Sequence, residues 1–272
     1  MPTIIKADGS KEDFSEDKVI KSIRRAGIPD SHQEQVLAHV KSKLYENIPT
    51  SEIYHHIIEF LGSTDLPYAK ASYSLKQAIM LLGPTGYPFE DFIAVILHSL
   101  GFHTKTRQIL LGNCVNHEVD VVAEQKGKRV MVEAKFHNSS GTRSDLHVVL
   151  YTKARFDDVK TKHHFNEAWL VTNTKVTTDA VAYAKCDSLK VISWQYPENG
   201  SLRDLIEKHR LHPVTSLTTL SQAQIQKLLD NHVVVCRDIA SNPMLLQMLE
   251  LTLDEKKNVM DEISYVVKGK PY

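Results

Sequence analysis

The chain has no net charge: 33 Lys and Arg balance 33 Asp and Glu. A balanced chain casts no bulk field, so charge alone directs it to neither nucleic acid, acidic substrates nor a membrane. Cysteine is scarce. Cys114, Cys186 and Cys236 lie far apart with no CxxC pair, which excludes a disulfide framework and a paired-thiol zinc site. HExxH is absent too. With no secretory signal at the start, the expectation is a reducing cytoplasm. Long apolar runs are also missing. The longest, "FIAVILHSLGF", is too short to cross a bilayer and contains His98, so no membrane partner is expected. No internal repeat or low-complexity tract occurs.

What is present is ordinary globular material, with 42% hydrophobic and 24% charged residues over 272 positions. That length suggests two or three domains. "GPTGYP" at 83–88 and "HRLHPVTSLTTLS" at 209–221 punctuate the chain and divide it into blocks 1–84, 85–212 and 213–272. In the first, a β-branched run and an Asp-Gly turn predict a small hairpin. Four helices follow. Ser15 caps the first and Gly27 ends it; Thr50 or Ser51 caps the third; the fourth spans "PYAKASYSLKQAIMLLG", with Pro67 near its start. The second block alternates as α-β-β-β-α-β-α-β, which predicts a mixed sheet with helices on both faces. The third reads as short helices over "SQAQIQKLLDN", "VCRDIAS", "PMLLQMLEL" and "LDEKKNVMDEISYVV".

Within the second block, "VDVVAEQKGKRVMVEAKF" (119–136) reads as a hairpin turning at "KG". Side chains at i and i+2 share a face, so Met131, Glu133, Lys135 and His137 lie opposite Val130, Val132, Ala134 and Phe136. Pairing across the turn brings Asp120 near Glu133 and Lys135. Two converging carboxylates repel unless a cation sits between them, and hard oxygen donors suit Mg²⁺ or Mn²⁺. By itself the string also describes an ordinary solvated hairpin face.

Its setting narrows that. Glu90 opens the preceding helix, and "FEDFIAVILHSLGF", "VDVVA", "VEAKF", "AWLVTNTKVTTDAVAYA" and "LKVISW" follow in order. Residues 86–200 thereby resemble the PD-(D/E)xK nuclease superfamily, in particular Mrr-like restriction endonucleases and archaeal Holliday-junction resolvases. The resemblance implies a restriction-endonuclease-like α/β/α fold in which Asp120 and Glu133 bind metal, Lys135 is the catalytic lysine and Glu90 an additional acid. Many Mrr-like proteins carry Gln-x-Lys where this chain has Glu-x-Lys. His117 and His137 flank the motif, either as site residues or as polar strand ends. "KGKR" (126–129) and Lys153, Arg155, Lys160 and Lys162 are the candidate phosphate contacts.

"IIKADGSKEDFSEDKVIKSIRRAG" and "IPTSEIYHHIIEFLGSTDLPYAKASYSLKQAI" together resemble the ATP-cone, the regulatory nucleotide-binding module of ribonucleotide reductases and their repressors. The resemblance covers about residues 3–80 and implies ATP or dATP as a regulatory ligand. Lys6, Lys18 and Lys70 would meet its phosphates near a helix N-terminus, and Glu12 and Thr50 would help hold base and ribose. Ala7 stands where the family usually has Arg, and Lys70 replaces an Arg, so the family's arginine contact at position 7 is missing.

The tail faintly resembles a helix-hairpin-helix module. It has no Gly before Gly269 and six Lys/Arg against seven Asp/Glu, so an oligomerisation domain competes with DNA contact. The expectation is therefore a multidomain α and α/β protein: a mostly helical ATP-cone, a restriction-endonuclease-like mixed sheet, and a small helical domain. As a function, the resemblances imply a metal-dependent DNA endonuclease gated by ATP or dATP, working as a homodimer or higher homo-oligomer, with defence against foreign DNA as one role. A catalytically inactive, nucleotide-responsive DNA-binding protein is the alternative. A structure-specific resolvase is the third option.

Overall fold

A computed structural model describes residues 2–64 and 69–268. Pro67, expected near the start of the fourth helix, lies outside the described residues.

The N-terminal unit pairs strands β1 (Thr3–Ile5) and β2 (Lys11–Asp13) around the Asp-Gly turn. Helices α1 (Glu16–Arg25) and α2 (Asp30–Ser42), a two-residue strand β3 (Ile48–Pro49) and helix α3 (Thr50–Gly62) follow. β3 pairs parallel with β1. The sequence did not show it, since two residues carry no periodicity. Ser15 caps α1 by accepting from the Lys18 amide. Thr50 is the first helical residue of α3 rather than its cap, because Pro49 takes the extended N-cap position. Ile4, Phe14, Ile23, Val36, Val40, Ile48, Ile57 and Leu61 form this unit's core.

The expected fourth helix is two, α4 (Ala69–Tyr73) and α5 (Leu75–Met80), separated at Ser74. The Ser74 hydroxyl donates to the Lys70 carbonyl, a back-bond that competes with the helical ladder. Leu75, Ile79 and Leu82 face away from the cone and join the main core. Hydrophobic packing therefore crosses the break at "GPTGYP".

The central unit comprises α6 (Tyr87–Ser99), β4 (His103–Leu111), β5 (Asn116–Gln125), β6 (Lys128–Lys135), β7 (Arg143–Ser144), α7 (Leu146–His163), β8 (Glu167–Thr172), β9 (Lys175–Val176), α8 (Thr178–Cys186), β10 (Lys190–Ile192) and α9 (Leu202–His209). The five-stranded sheet runs β10-β8-β6-β5-β4. β10, β8 and β6 are parallel, while β5 is antiparallel to both β6 and β4. α6 covers one face over Val121, Ala123, Val130, Val132, Trp169 and Val171. On the other face α7 and α8 pack over Val122, Met131, Ala168 and Leu170. The expected alternation along β6 holds. Helix α9 escaped the sequence reading, although Ser201 and Asp204 form a capping box that "SLRD" spells out. β10 is shorter than "LKVISWQY", because Ser193 turns back to bond Tyr196.

The tail contains α10 (Gln222–Asp230), α11 (Cys236–Ser241) and α12 (Leu253–Lys268). "PMLLQMLEL" forms a 3₁₀ segment, Pro243–Leu249, in place of the expected α-helix. Leu228, Val234, Ile239, Leu246, Val259 and Ile263 extend the same core as α6 and the sheet. The fully buried Glu262 carboxylate accepts from the amides and hydroxyls of Thr218 and Thr219 at 2.6–3.0 Å. The Ser/Thr-rich break at 209–221 is thus a buried joint. The fold class is as expected: a helical N-terminal unit, a mixed α/β/α sheet and helices at the C-terminus.

Candidate active site and nucleotide pocket

β5 and β6 pair up to Val121↔Val132, a register that sets Asp120 beside Glu133. On β5's other side the ladder passes from Thr106↔Val121 to Gln108↔Val119, skipping Arg107, which has φ +52°. Released from regular pairing, Asp120 turns its carboxylate onto the Ala134 amide at 2.7 Å. Glu133 points to the α7 side, where Arg155 donates to it at 2.6 Å. The same guanidinium lies 3.9 Å from Asp120, donates to the Glu118 carbonyl and to Tyr151 Oη, both at 2.9 Å, and stacks on the Tyr151 ring.

The electrostatics fit this crowding. Burial and then the Asp120 charge push Glu133 up to about 7, while Arg155 and Lys135 pull it down and Glu90 adds repulsion. Asp120 is also raised, chiefly by burial, against the Ala134 hydrogen bond and Arg155. Glu90, on α6, is held at about 7 by burial and by Asp120, opposed by Arg107 at 3.4 Å. Glu90, Asp120, Glu133 and Lys135 thus share one electrostatic neighbourhood. Lys135, exposed at the end of β6, sits opposite Thr172.

His117 pairs with Asp158 at 2.7 Å, and His137 bonds Ser144 at 2.9 Å. Most of the expected phosphate contacts are occupied within the fold. Lys128 pairs with Glu167, Lys153 with Asp157 and Asp187, and Lys160 with Asp157. Lys162 and Arg129 donate to backbone carbonyls. Arg155 belongs to the carboxylate pair. Sequence reasoning also missed Asn173, buried just past β8. Its side chain accepts from the His137 amide and donates to the His137 carbonyl, both at 2.9 Å, which pins the chain leaving Lys135.

The donor chemistry fits a divalent cation. Two carboxylates are held side by side out of bulk water, each raising the other's cost of ionisation, and a guanidinium already answers their charge. With Arg155 at Glu133, these acids do not draw three donor atoms within 4.8 Å; among the described residues His39, His56 and Glu59 do.

In the N-terminal unit a cavity of about 190 Å³ is lined by Glu12, Ser15, Lys18, Ser22, Thr50, Tyr54, Tyr73 and apolar side chains. Three of the five expected nucleotide residues, Glu12, Lys18 and Thr50, meet there. Lys6 reaches the cluster through Glu12, which it contacts at 2.6 Å, beside Lys18 at 2.9 Å. Lys70 is exposed on α4 and does not line the cavity. Tyr54 and Tyr73, stacked 5.6 Å apart, supply an aromatic wall that local patterning could not pair.

Three families of known proteins match separate stretches of the chain. Residues 2–78 match the ATP cone domain family and residues 82–197 the restriction endonuclease family. Residues 212–267 match the AF1548-like C-terminal family. The chain joins an ATP-cone to a restriction-endonuclease-like domain. It is 39% identical over 176 residues to a protein of Archaeoglobus fulgidus described as uncharacterized, covering 64% of this chain and 99% of that one. The crystal structure of AF1548, a protein of unknown function, is 37% identical and covers 68% of this chain and all of that one, with a TM-score of 0.59. The chain belongs to the AF1548 family. A repair endonuclease from Pyrococcus abyssi aligns at 22% identity over 36% of this chain and 42% of its own, with a TM-score of 0.29. That superposition is too partial to bear on the site.

Proposed function

We propose that the protein is a divalent-metal-dependent DNA endonuclease whose cleavage is gated by ATP or dATP in the N-terminal cone. The observation that carries this reading is the Asp120–Glu133 pair with Lys135 and Glu90 beside it. Asp120 and Glu133 would hold Mg²⁺ or Mn²⁺, which when bound polarises a phosphodiester and lowers the pKa of an attacking water. Lys135 adds a fixed positive charge beside the pair, placed to stabilise charge developing on the phosphate. Glu90, held at about 7, can take up or release a proton near neutrality. Arg155 neutralises the pair in the metal-free protein, and with a cation held there its guanidinium would be free for the substrate phosphate. Beside it an open groove of about 480 Å³, lined by His117, Tyr151 and Arg155, gives DNA an approach. The defining assay is cleavage of supercoiled and linear DNA in Mg²⁺ and in EDTA, with and without ATP and dATP. Metal-independent or absent cleavage under all of these conditions would overturn the reading.

Acid should weaken the site. Glu133 and Glu90 keep their protons up to about 7, so metal binding below that pH must displace them. Mg²⁺ affinity and cleavage are expected to rise together from about pH 6 to about pH 8. A flat affinity profile would contradict the raised acids.

The nucleotide gate rests on contact between the units. The Asp8 carboxylate, in the cone's hairpin turn, accepts from Ser10 and from Arg143 in β7. Its pKa is held well below the usual carboxylate range, first by Ser10 and then by Arg143. Gly141 packs against the Ala7 carbonyl, 2.5 Å from where a Cβ would stand. Asp145, two residues beyond Arg143, caps α7, the helix that carries Arg155. The β1–β2 hairpin, with Lys6 just after β1 and Glu12 in β2, thus adjoins the segment between Lys135 and Arg155. We expect Lys18→Ala to reduce ATP and dATP binding in calorimetry by about tenfold or more. Arg143→Ala should leave binding intact and remove the nucleotide's effect on cleavage. A nucleotide response unchanged in Arg143→Ala would place the coupling elsewhere.

The Arg155–Glu133 bond favours a second reading, an inactive fold serving as a nucleotide-responsive DNA-binding module. The same cleavage assay separates the two.

A further inference from the structure

We infer that His39, His56 and Glu59 form a second cation site, on the cone face where α2 meets α3, suited to a zinc-type divalent ion. One donor atom of each residue lies within 4.8 Å of the others. Glu59 Oε2 is 4.0 Å from His39 Nε2 and 3.6 Å from His56 Nδ1. A tetrahedral ion with bonds near 2.0–2.1 Å holds its donors about 3.3 Å apart. Glu59 would therefore have to close by about 0.3 Å on His56 and about 0.7 Å on His39. Glu59, 69% exposed, is free to make that movement.

Three further observations point to a ligand. His39 Nε2 is out of solvent and has no hydrogen-bond partner, a cost that a metal bond would remove. The His39 ring leans on Phe60, with centroids 5.3 Å apart, so its direction is fixed. His56 presents Nδ1 to the cluster and its other nitrogen, Nε2, to Glu52 at 3.7 Å. Glu52 is itself held by the Tyr45 hydroxyl at 2.7 Å. A carboxylate behind a metal-binding imidazole orients the ring and raises its basicity.

The local sequence explains two of the cluster's three residues. His56 and Glu59, at i and i+3, share one face of α3, and the packing of α2 adds His39. Two imidazoles and a carboxylate prefer Zn²⁺ and its neighbours over Mg²⁺, which favours all-oxygen surroundings. An ion here would staple α2 to α3, the helix that begins at Thr50 in the nucleotide pocket. The site is separate from Asp120 and Glu133 and stands whether or not those residues cut DNA.

The test uses the full-length protein. Zn²⁺ and Co²⁺ binding is followed by calorimetry, by thermal unfolding and by the visible absorption of bound Co²⁺. We expect one tight ion that raises the melting temperature, and a Co²⁺ band that Zn²⁺ abolishes. Glu59→Gln and His39→Asn should each lower the affinity by about ten- to a hundredfold. Glu59→Gln, at an exposed position, should fold normally. Mg²⁺ should reproduce neither signal. Absence of binding, or binding equally tight in both variants, would overturn the site. The second result would assign the ion to other donors, such as the exposed Cys114 and Cys186.

Discussion

Glu133→Gln should lower metal-dependent DNA cleavage on the order of 10³-fold, the equivalent of about 4 kcal/mol of lost charge stabilisation in the transition state. The reason is local. Glu133 and Asp120 are the carboxylates that the β5–β6 register sets side by side, and a neutral amide at 133 is a poor substitute ligand for a hard cation. The substitution keeps the shape of the side chain and can still accept from Arg155, so the fold should survive. It also removes one of two like charges. Asp120 should then titrate closer to the ordinary carboxylate range, as NMR titration can check. Asp120→Ala and Lys135→Ala should likewise abolish most cleavage. Single-turnover kinetics at saturating Mg²⁺ would separate a lost chemical step from weakened metal binding. Full activity in all three variants would remove the candidate site.

The second large effect concerns stability. Arg155→Ala is expected to cost about 3 kcal/mol in the metal-free protein near pH 8, where it leaves two largely buried carboxylates without the cation that contacts them. The sign follows from the raised pKa of Glu133. A carboxyl whose folded pKa lies above its unfolded value resists ionisation in the fold, so it destabilises progressively as pH rises between the two values. Without Arg155 that folded value climbs further. The penalty should therefore shrink toward about pH 5, where Glu133 is protonated with or without the guanidinium. Millimolar Mg²⁺ should recover much of the loss at the higher pH, because it supplies the missing charge. Urea unfolding at the two pH values, with and without Mg²⁺, measures all three points. An equal penalty under every condition would mean that Arg155 acts only through packing on Tyr151.

The sequence revealed most of this architecture where one physical signal dominated. The two-residue alternation through β6 placed Glu133 and Lys135 on the face opposite Val130 and Val132, and the Lys-Gly turn set the register that brings Asp120 across. Ser15 was legible as a cap because its chemistry is local. Arg155 was not. On a helix it reads as one cation among several, and only the packing of α7 over β5 and β6 distinguishes it from Lys153 or Lys160. Tyr54 and Tyr73 were missed for the same reason, since their stacking joins α3 to α4 across distant positions. The sequence breaks at 84/85 and 212/213 follow changes of pattern along the chain. Leu75, Ile79 and Leu228 nevertheless belong to one core, because hydrophobic burial depends on the surfaces that meet and not on the composition of the chain between them.

The central claim is most directly tested by nicking of supercoiled plasmid by the wild-type protein and by Asp120→Ala, each in Mg²⁺ and in EDTA. Nicked and linear products are expected for the wild type in Mg²⁺ alone, and intact plasmid in the other three reactions. Intact plasmid throughout, with DNA binding retained, would contradict it and leave the nuclease fold a binding module.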